Sequence, residues 1–112
     1  GLGKTIQSIA YISQITQMDK ASTGCPPRGP HLVIVPLSVL TSWVLEFRRF
    51  CPSLRVVRLH SGDEKERERL RKEVLSDLRS YDVVVTTYDM AVSGSMRHCL
   101  TRQWWRCLVL DE

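Results

Sequence analysis

The stretch "GLGKTIQSIA", residues 1–10, sets Gly3-Lys4-Thr5 directly before a run suited to a helix. These three residues match the close of the phosphate-binding pattern G-x-x-x-x-G-K-[ST]. Taken alone, a glycine in front of a helix serves equally well as a turn. What separates the two readings is the remainder of the chain, above all its last residues.

From Thr5 to about Gln17 a helix is expected, with Ile6, Ile9, Ala10, Ile12 and Ile15 forming a wide apolar stripe. "DKASTGCPPRGP" (19–30) stops it, because its three prolines and two glycines cannot continue a helix. "HLVIVP" (31–36) is a short apolar run rich in β-branched residues, the pattern of a strand buried on both faces. Ser38 is placed to cap the next helix, whose apolar face is Leu40, Trp43, Val44, Phe47 and Phe50, read as core. "LRVVRL" (54–59) is a further strand, and Ser61 with Glu64 has the form of a capping box opening a charged helix with a narrow seam of Leu70, Val74 and Leu78. "YDVVVTTY" (81–88) and "CLVLDE" (107–112) are again buried-strand runs, and residues 89–102 carry no decisive pattern. Strands alternating with helices in this way predict an α/β fold, a parallel sheet with helices on both faces.

Composition bounds the rest. The 112 residues are 43% hydrophobic and 25% charged, which suits one small globular domain. With no signal-peptide pattern and no apolar run near the ~20 residues of a membrane span, a soluble intracellular protein with no membrane partner is expected, a piece of a longer one. Cys25, Cys51, Cys99 and Cys107 are scattered, and His31, His60 and His98 are isolated, so the spacing supports neither a cysteine or histidine metal site nor a Cys-His nucleophile. The net charge of +4 favours polyanionic partners without naming one, and the densest run of charge, "DEKERERLRKEVLSDLR" (63–79), mixes acids and bases as on a solvated helix face rather than forming a basic tract.

"LVLDE" (108–112) supplies what the first ten residues lack, an apolar strand delivering two carboxylates at its C-terminal end. In open α/β sheets ligands bind beyond the carboxyl ends of the strands, so loop and carboxylates are expected in one crevice. The backbone N–H groups of Gly1, Leu2, Gly3, Lys4 and Thr5, with the positive end of the helix, would cradle the phosphates of ATP. Lys4 would meet the β- and γ-phosphates, Thr5 and Asp111 would hold Mg2+, and Glu112 would polarise the attacking water, with Lys4 and Glu112 as the catalytic pair.

With these residues assembled, the chain resembles the first RecA-like lobe of the Swi/Snf chromatin-remodelling ATPases, a branch of the superfamily-two helicases. "GLGKTIQSIA" resembles motif I, "VPLSVLTSWVLEF" (35–47) the motif Ia region, "VVVTTYDM" (83–90) a further lobe-one motif, and "LVLDE" the start of motif II. "GPHLVIVPLS", "PSLRV" and "GDEKER" are similar to the imitation-switch branch, with chromodomain-helicase remodellers a near second. The resemblance implies a P-loop NTPase lobe incomplete at both ends, running through residues 1–112 from the middle of motif I to the start of motif II. It implies a DNA-dependent ATPase in the nucleus, moving along duplex DNA and acting on nucleosomes with histones and remodelling-complex subunits as partners. Ser38, Arg49, Arg67, Thr86, Thr87 and Tyr88 are the DNA-facing candidates by this resemblance, since Ser, Thr and Arg position a duplex through its phosphates without reading sequence.

Three other readings compete: a DNA-repair or transcription-coupled member of the same family, a catalytically inactive DNA- or histone-binding scaffold, and an unrelated P-loop kinase or GTPase. Because a second lobe normally supplies the arginine that stabilises transition-state charge, the 112-residue chain alone is expected to hydrolyse ATP negligibly.

Overall fold

The computed structural model describes residues 2–22 and 29–112; Gly1 of the expected phosphate cradle, and Cys25 with most of the proline-rich stretch, lie outside the described residues. In chain order the elements are α1 (Leu2–Ala21), β1 (His31–Val35), α2 (Leu37–Phe50), β2 (Val56–Leu59), α3 (Glu64–Leu75), a 3-10 turn (Leu78–Ser80), β3 (Val83–Thr87), α4 (Tyr88–Val92), α5 (Gly94–Thr101) and β4 (Leu108–Leu110). The four strands form one sheet in the order β2-β3-β1-β4, every pair parallel. Among the described residues no helix is long and apolar enough to cross a membrane.

The two central strands are buried at every position. Successive side chains of a strand point to opposite faces, so β1 and β3 each feed two cores. Val33, Val35, Val83 and Val85 pack with Ile9 and Ile12 of α1 and with Leu40, Trp43, Val44 and Phe47 of α2. Leu32, Ile34 and Val84 pack on the other face with Val74 of α3, Met90 of α4, and Met96 and Leu100 of α5. Each fully buried side chain of this size contributes roughly 1.5–3 kcal/mol.

Four local expectations are corrected. Helix α1 runs from Leu2 to Ala21, past Gln17, and turns only Ile9, Ile12 and Thr16 to the core, while Ile6 and Ala10 lie outside. That is the narrow face an i, i+3, i+7 spacing selects. Ser38 does not cap α2; Pro36 occupies the cap position in extended conformation and Ser38 falls inside the first turn. The capping box at Ser61 and Glu64 is replaced by Asp63, whose side chain accepts from the Lys65 N–H while Ser61 accepts from the Asp63 N–H. Phe50 is 48% exposed, with the Arg49 guanidinium 5.5 Å from its ring centroid. Residues 89–102, open in the sequence, fall largely into α4 and α5.

Gly29 is required where it stands. Its φ is +89°, in the region glycine favours, and a β-carbon there would press into the Trp104 carbonyl. The close approach lets Arg106 N–H donate to Pro30 O and Leu32 N–H to Cys107 O, bonds that lead β4 into register beside β1.

Candidate nucleotide and nucleic-acid site

Helix α2 follows β1 on one face of the sheet, and α4 and α5 follow β3 on the other. β1 and β3 are neighbours whose outgoing connections leave on opposite faces, the arrangement beyond whose carboxyl ends ligands bind in open α/β sheets. Ser38 lies just past β1 and Tyr88 just past β3, both exposed.

Asp111 reaches the same end from β4. Its N–H donates to Ile34 O at 2.9 Å, extending the ladder one residue past the strand. The Trp43 indole Nε1–H donates to Asp111 Oδ2 at 2.9 Å, and the Tyr88 hydroxyl donates to Asp111 O at 2.8 Å. Asp111 is half-buried and Glu112, the next residue, is exposed.

Helix α1 approaches from the side. In a helix that begins at Leu2 the N–H groups of Leu2, Gly3 and Lys4 precede the first i→i−4 bond, which leaves them with the positive end of the helix dipole for an anion. Lys4 is exposed and Thr5 half-buried. Lys4 lines a shallow depression of about 360 Å³ together with Gln7, Ser8, Tyr11 and Val109, so the helix start and the strand that delivers Asp111 share one surface. The larger depression, about 390 Å³, lies elsewhere, at the N-terminal ends of the strands among Thr16, His31, Arg55 and Asp82. Size does not select the site here, because the larger depression holds none of the phosphate-motif residues.

Mg2+ takes hard oxygen donors and is held beside substrate phosphates by only one or two carboxylates plus water. Thr5 and Asp111 are such donors. Asp111 Oδ2 is engaged by Trp43, and Oδ1 has no hydrogen-bond partner among the described residues. Among those residues no three His, Cys, Asp or Glu side chains gather into a metal cage.

The expected DNA-facing residues divide. Ser38, Arg67 and Tyr88 lie at the C-terminal end of the sheet, Arg67 with its Nε–H donating to Ser61 O. Thr86 is fully buried and its hydroxyl donates to Leu59 O at 2.7 Å, which joins β3 to β2. Thr87, 2% exposed, caps α4 by accepting from the Met90 N–H at 3.3 Å. Both threonine side chains serve the fold. Arg49 stands at the far end of α2, eleven residues from Ser38 and roughly 16 Å along the helix at 1.5 Å per residue.

Two residues at this end escaped the sequence reading. His60, ending the β2 connection, has Nδ1 3.4 Å from Thr87 Oγ1; burial, then Arg58 and Arg67, hold its pKa below the ordinary 6.5 against the pull of Asp89. Trp43 belongs to the core by its spacing, yet it also bonds Asp111. Its indole N–H was the available signal, because a buried tryptophan needs an acceptor.

A family model described as the SNF2-related domain matches residues 1–112. Among curated relatives, "ATP-dependent helicase fft3" of Schizosaccharomyces pombe is 42% identical over 100% of this chain and 11% of its own length. The human "SWI/SNF-related matrix-associated actin-dependent regulator of chromatin subfamily A containing DEAD/H box 1" is 38% identical over 92% of this chain and 9% of its own. "ISWI chromatin-remodeling complex ATPase CHR17" of Arabidopsis thaliana is 37% identical over 100% and 10%. Identities this similar do not favour the imitation-switch branch over the others. The solved "SWI2/SNF2 ATPase core in complex with dsDNA" of Sulfolobus solfataricus matches with a TM-score of 0.74 and 33% identity, over 100% of this chain and 20% of that one. The chain thus spans about a tenth of the length of the curated relatives it matches. The parallel sheet with its flanking helices is that of the RecA-like SWI2/SNF2 core, and with the family match running from the first residue to the last, the chain belongs to the SNF2-related domain family.

Proposed function

We propose that the protein carrying this chain is a nuclear DNA-dependent ATPase that moves along duplex DNA and remodels nucleosomes, with histones and remodelling-complex subunits as partners. In this reading residues 1–112 are an incomplete first lobe. The observation that carries it is the approach of the two half-motifs: Lys4, near the start of α1, shares a surface with Val109 of β4, the strand that leads to Asp111 and Glu112. The Sulfolobus core, similar over this whole chain, was solved with double-stranded DNA, which supports duplex DNA as the track.

The exposed N–H groups of α1 and the Lys4 ammonium bind the triphosphate and offset its charge. Thr5 and Asp111 would hold Mg2+, which would offset phosphate charge when bound. Glu112 accepts a hydrogen bond from the water that attacks the γ-phosphorus in line with the departing ADP oxygen, and takes up its proton. Ser38, Arg67 and Tyr88 face the DNA backbone beyond the C-terminal ends of β1 and β3.

Phosphate release by the full-length protein, with ATP or GTP and with or without duplex DNA, tests this. Hydrolysis of ATP stimulated by DNA is expected, and Glu112→Gln is expected to lower it by roughly a hundredfold or more while nucleotide still binds. Unchanged hydrolysis in Glu112→Gln removes the role given to that residue. GTP turnover indifferent to DNA would point instead to a P-loop kinase or GTPase.

A further inference from the structure

Trp43 lies in the middle of α2, 3% exposed, its ring 6.2 Å from that of Phe47 in a tilted arrangement. Packing alone accounts for the ring but not for where the indole N–H goes. It spans 68 positions of sequence to reach Asp111 Oδ2 at 2.9 Å. Asp111 is therefore gripped at three points: its N–H on Ile34 O, its carbonyl under the Tyr88 hydroxyl, and one carboxylate oxygen on Trp43. Two of these fix the backbone, and the third alone fixes the rotation of the carboxylate. A neutral N–H donor binds one oxygen without neutralising the group, so the negative charge and Oδ1 stay available to a cation.

We infer that Trp43 is a positioning residue for the reaction, holding the Asp111 carboxylate in the orientation that receives Mg2+ with the nucleotide. The inference rests on the assignment of Asp111 proposed above. It gives Trp43 a second duty beside its place in the core, of the kind performed by groups that orient metal ligands from behind. Losing such a group costs 10–100-fold in metal affinity or activity.

The test uses the full-length protein and two variants that keep the aromatic volume and remove the N–H: Trp43→Phe, and site-specific replacement of Trp43 by the analogue carrying sulfur in place of the indole N–H. A fluorescent ADP derivative is titrated with Mg2+ to give the half-saturating concentration for tight nucleotide binding, and DNA affinity is measured without nucleotide. Each variant is expected to raise the Mg2+ requirement roughly tenfold with DNA affinity unchanged. A Mg2+ requirement within about twofold of the parent, in a variant that melts at the parent's temperature, overturns the inference. If Trp43→Phe does not fold, the sulfur analogue, which has almost the same shape, decides. Asp111→Asn separates the two levels: if it raises the Mg2+ requirement and the Trp43 variants do not, only the positioning role fails. If Asp111→Asn itself has no effect, the assignment of Asp111 fails and this inference with it.

Discussion

Asp82 and His31, at the N-terminal ends of the strands, are buried and bonded to other residues, whereas Lys4, Ser38 and Glu112, toward the C-terminal ends, are exposed. Asp82, just before β3, is 7% exposed and accepts from the Arg55 backbone N–H at 2.9 Å while pairing with Arg55 and Lys20. Burial alone would raise its pKa, but the Arg55 backbone and side-chain hydrogen bonds, with Lys20, outweigh it and hold the carboxyl below the ordinary 3.8. Near it His31, 2% exposed, has Nε2 3.1 Å from Thr16 Oγ1, whose own hydrogen goes to Ile12 O. At the other end Lys4, Ser38, Tyr88 and Glu112 are exposed, and Asp111 keeps an oxygen without a partner among the described residues. One parallel sheet thus ties Asp82 and His31 internally at one end, while at the other Thr86, Thr87 and one oxygen of Asp111 are tied and Lys4, Ser38 and Glu112 stay exposed. A charge spent on an internal partner stabilises the fold; a charge left open can meet a phosphate.

Substitutions at the two ends should therefore separate activity from stability. The largest effect expected is the hundredfold loss of DNA-stimulated hydrolysis in Glu112→Gln, with the melting temperature unmoved. At the opposite end Asp82→Ala should reverse this pattern, lowering stability by about 2 kcal/mol in denaturant unfolding while hydrolysis by the folded protein stays normal. The half-exposed ion pairs with Lys20 and Arg55 contribute little of that; the Arg55 N–H left without its acceptor contributes most. This stabilisation is present above the ordinary 3.8 and is lost as pH falls through the depressed folded value.

Two arginines sharpen the comparison further. Arg67→Ala should weaken binding of duplex DNA several-fold and lower the steepness of its salt dependence by about one, as the loss of a single phosphate contact does. Arg49→Ala, at the far end of α2, should leave both unchanged. Equal losses in the two variants would break the division of the molecule into a binding end and a structural end.

The smallest effect expected is on His31. Burial, then Arg106, lower its pKa from 6.5, against Asp19 and Asp82. A base whose folded pKa is depressed binds fewer protons folded than unfolded, so its contribution is complete above pH 6.5 and declines as pH falls toward the folded value. Melting temperature should drop by about a few degrees on acidification through this window, and His31→Gln should flatten part of the slope. His60, shifted the same way, accounts for a further part. A slope untouched by His31→Gln would mean that His31 is not held neutral by its surroundings.

The central strands were legible because β1 and the first half of β3 are runs of apolar, β-branched residues, the mark of burial on both faces, whereas β4, read the same way, is an edge strand with Leu108 and Leu110 exposed. The cap of α2 was not. Ser38 is a good capping residue, yet the extended backbone of Pro36 starts the helix earlier and leaves Ser38 exposed in its first turn. Thr86 and Thr87 read as polar residues at a strand end, and nothing local shows that Leu59 O and the Met90 N–H, on other elements or in the next turn, claim their hydroxyls.

The sequence by itself determined the fold class and the resemblance to the Swi/Snf ATPases, and it named the residues proposed to meet phosphate and magnesium. Side-chain chemistry and the period of burial are local properties, written residue by residue. Tertiary structure alone decided which polar groups remain open. It brought Trp43 to Asp111 across 68 positions and closed Thr86 into the sheet. A hydrogen bond between distant elements depends on where the packed faces of the helices set them down, and only the assembled core fixes that.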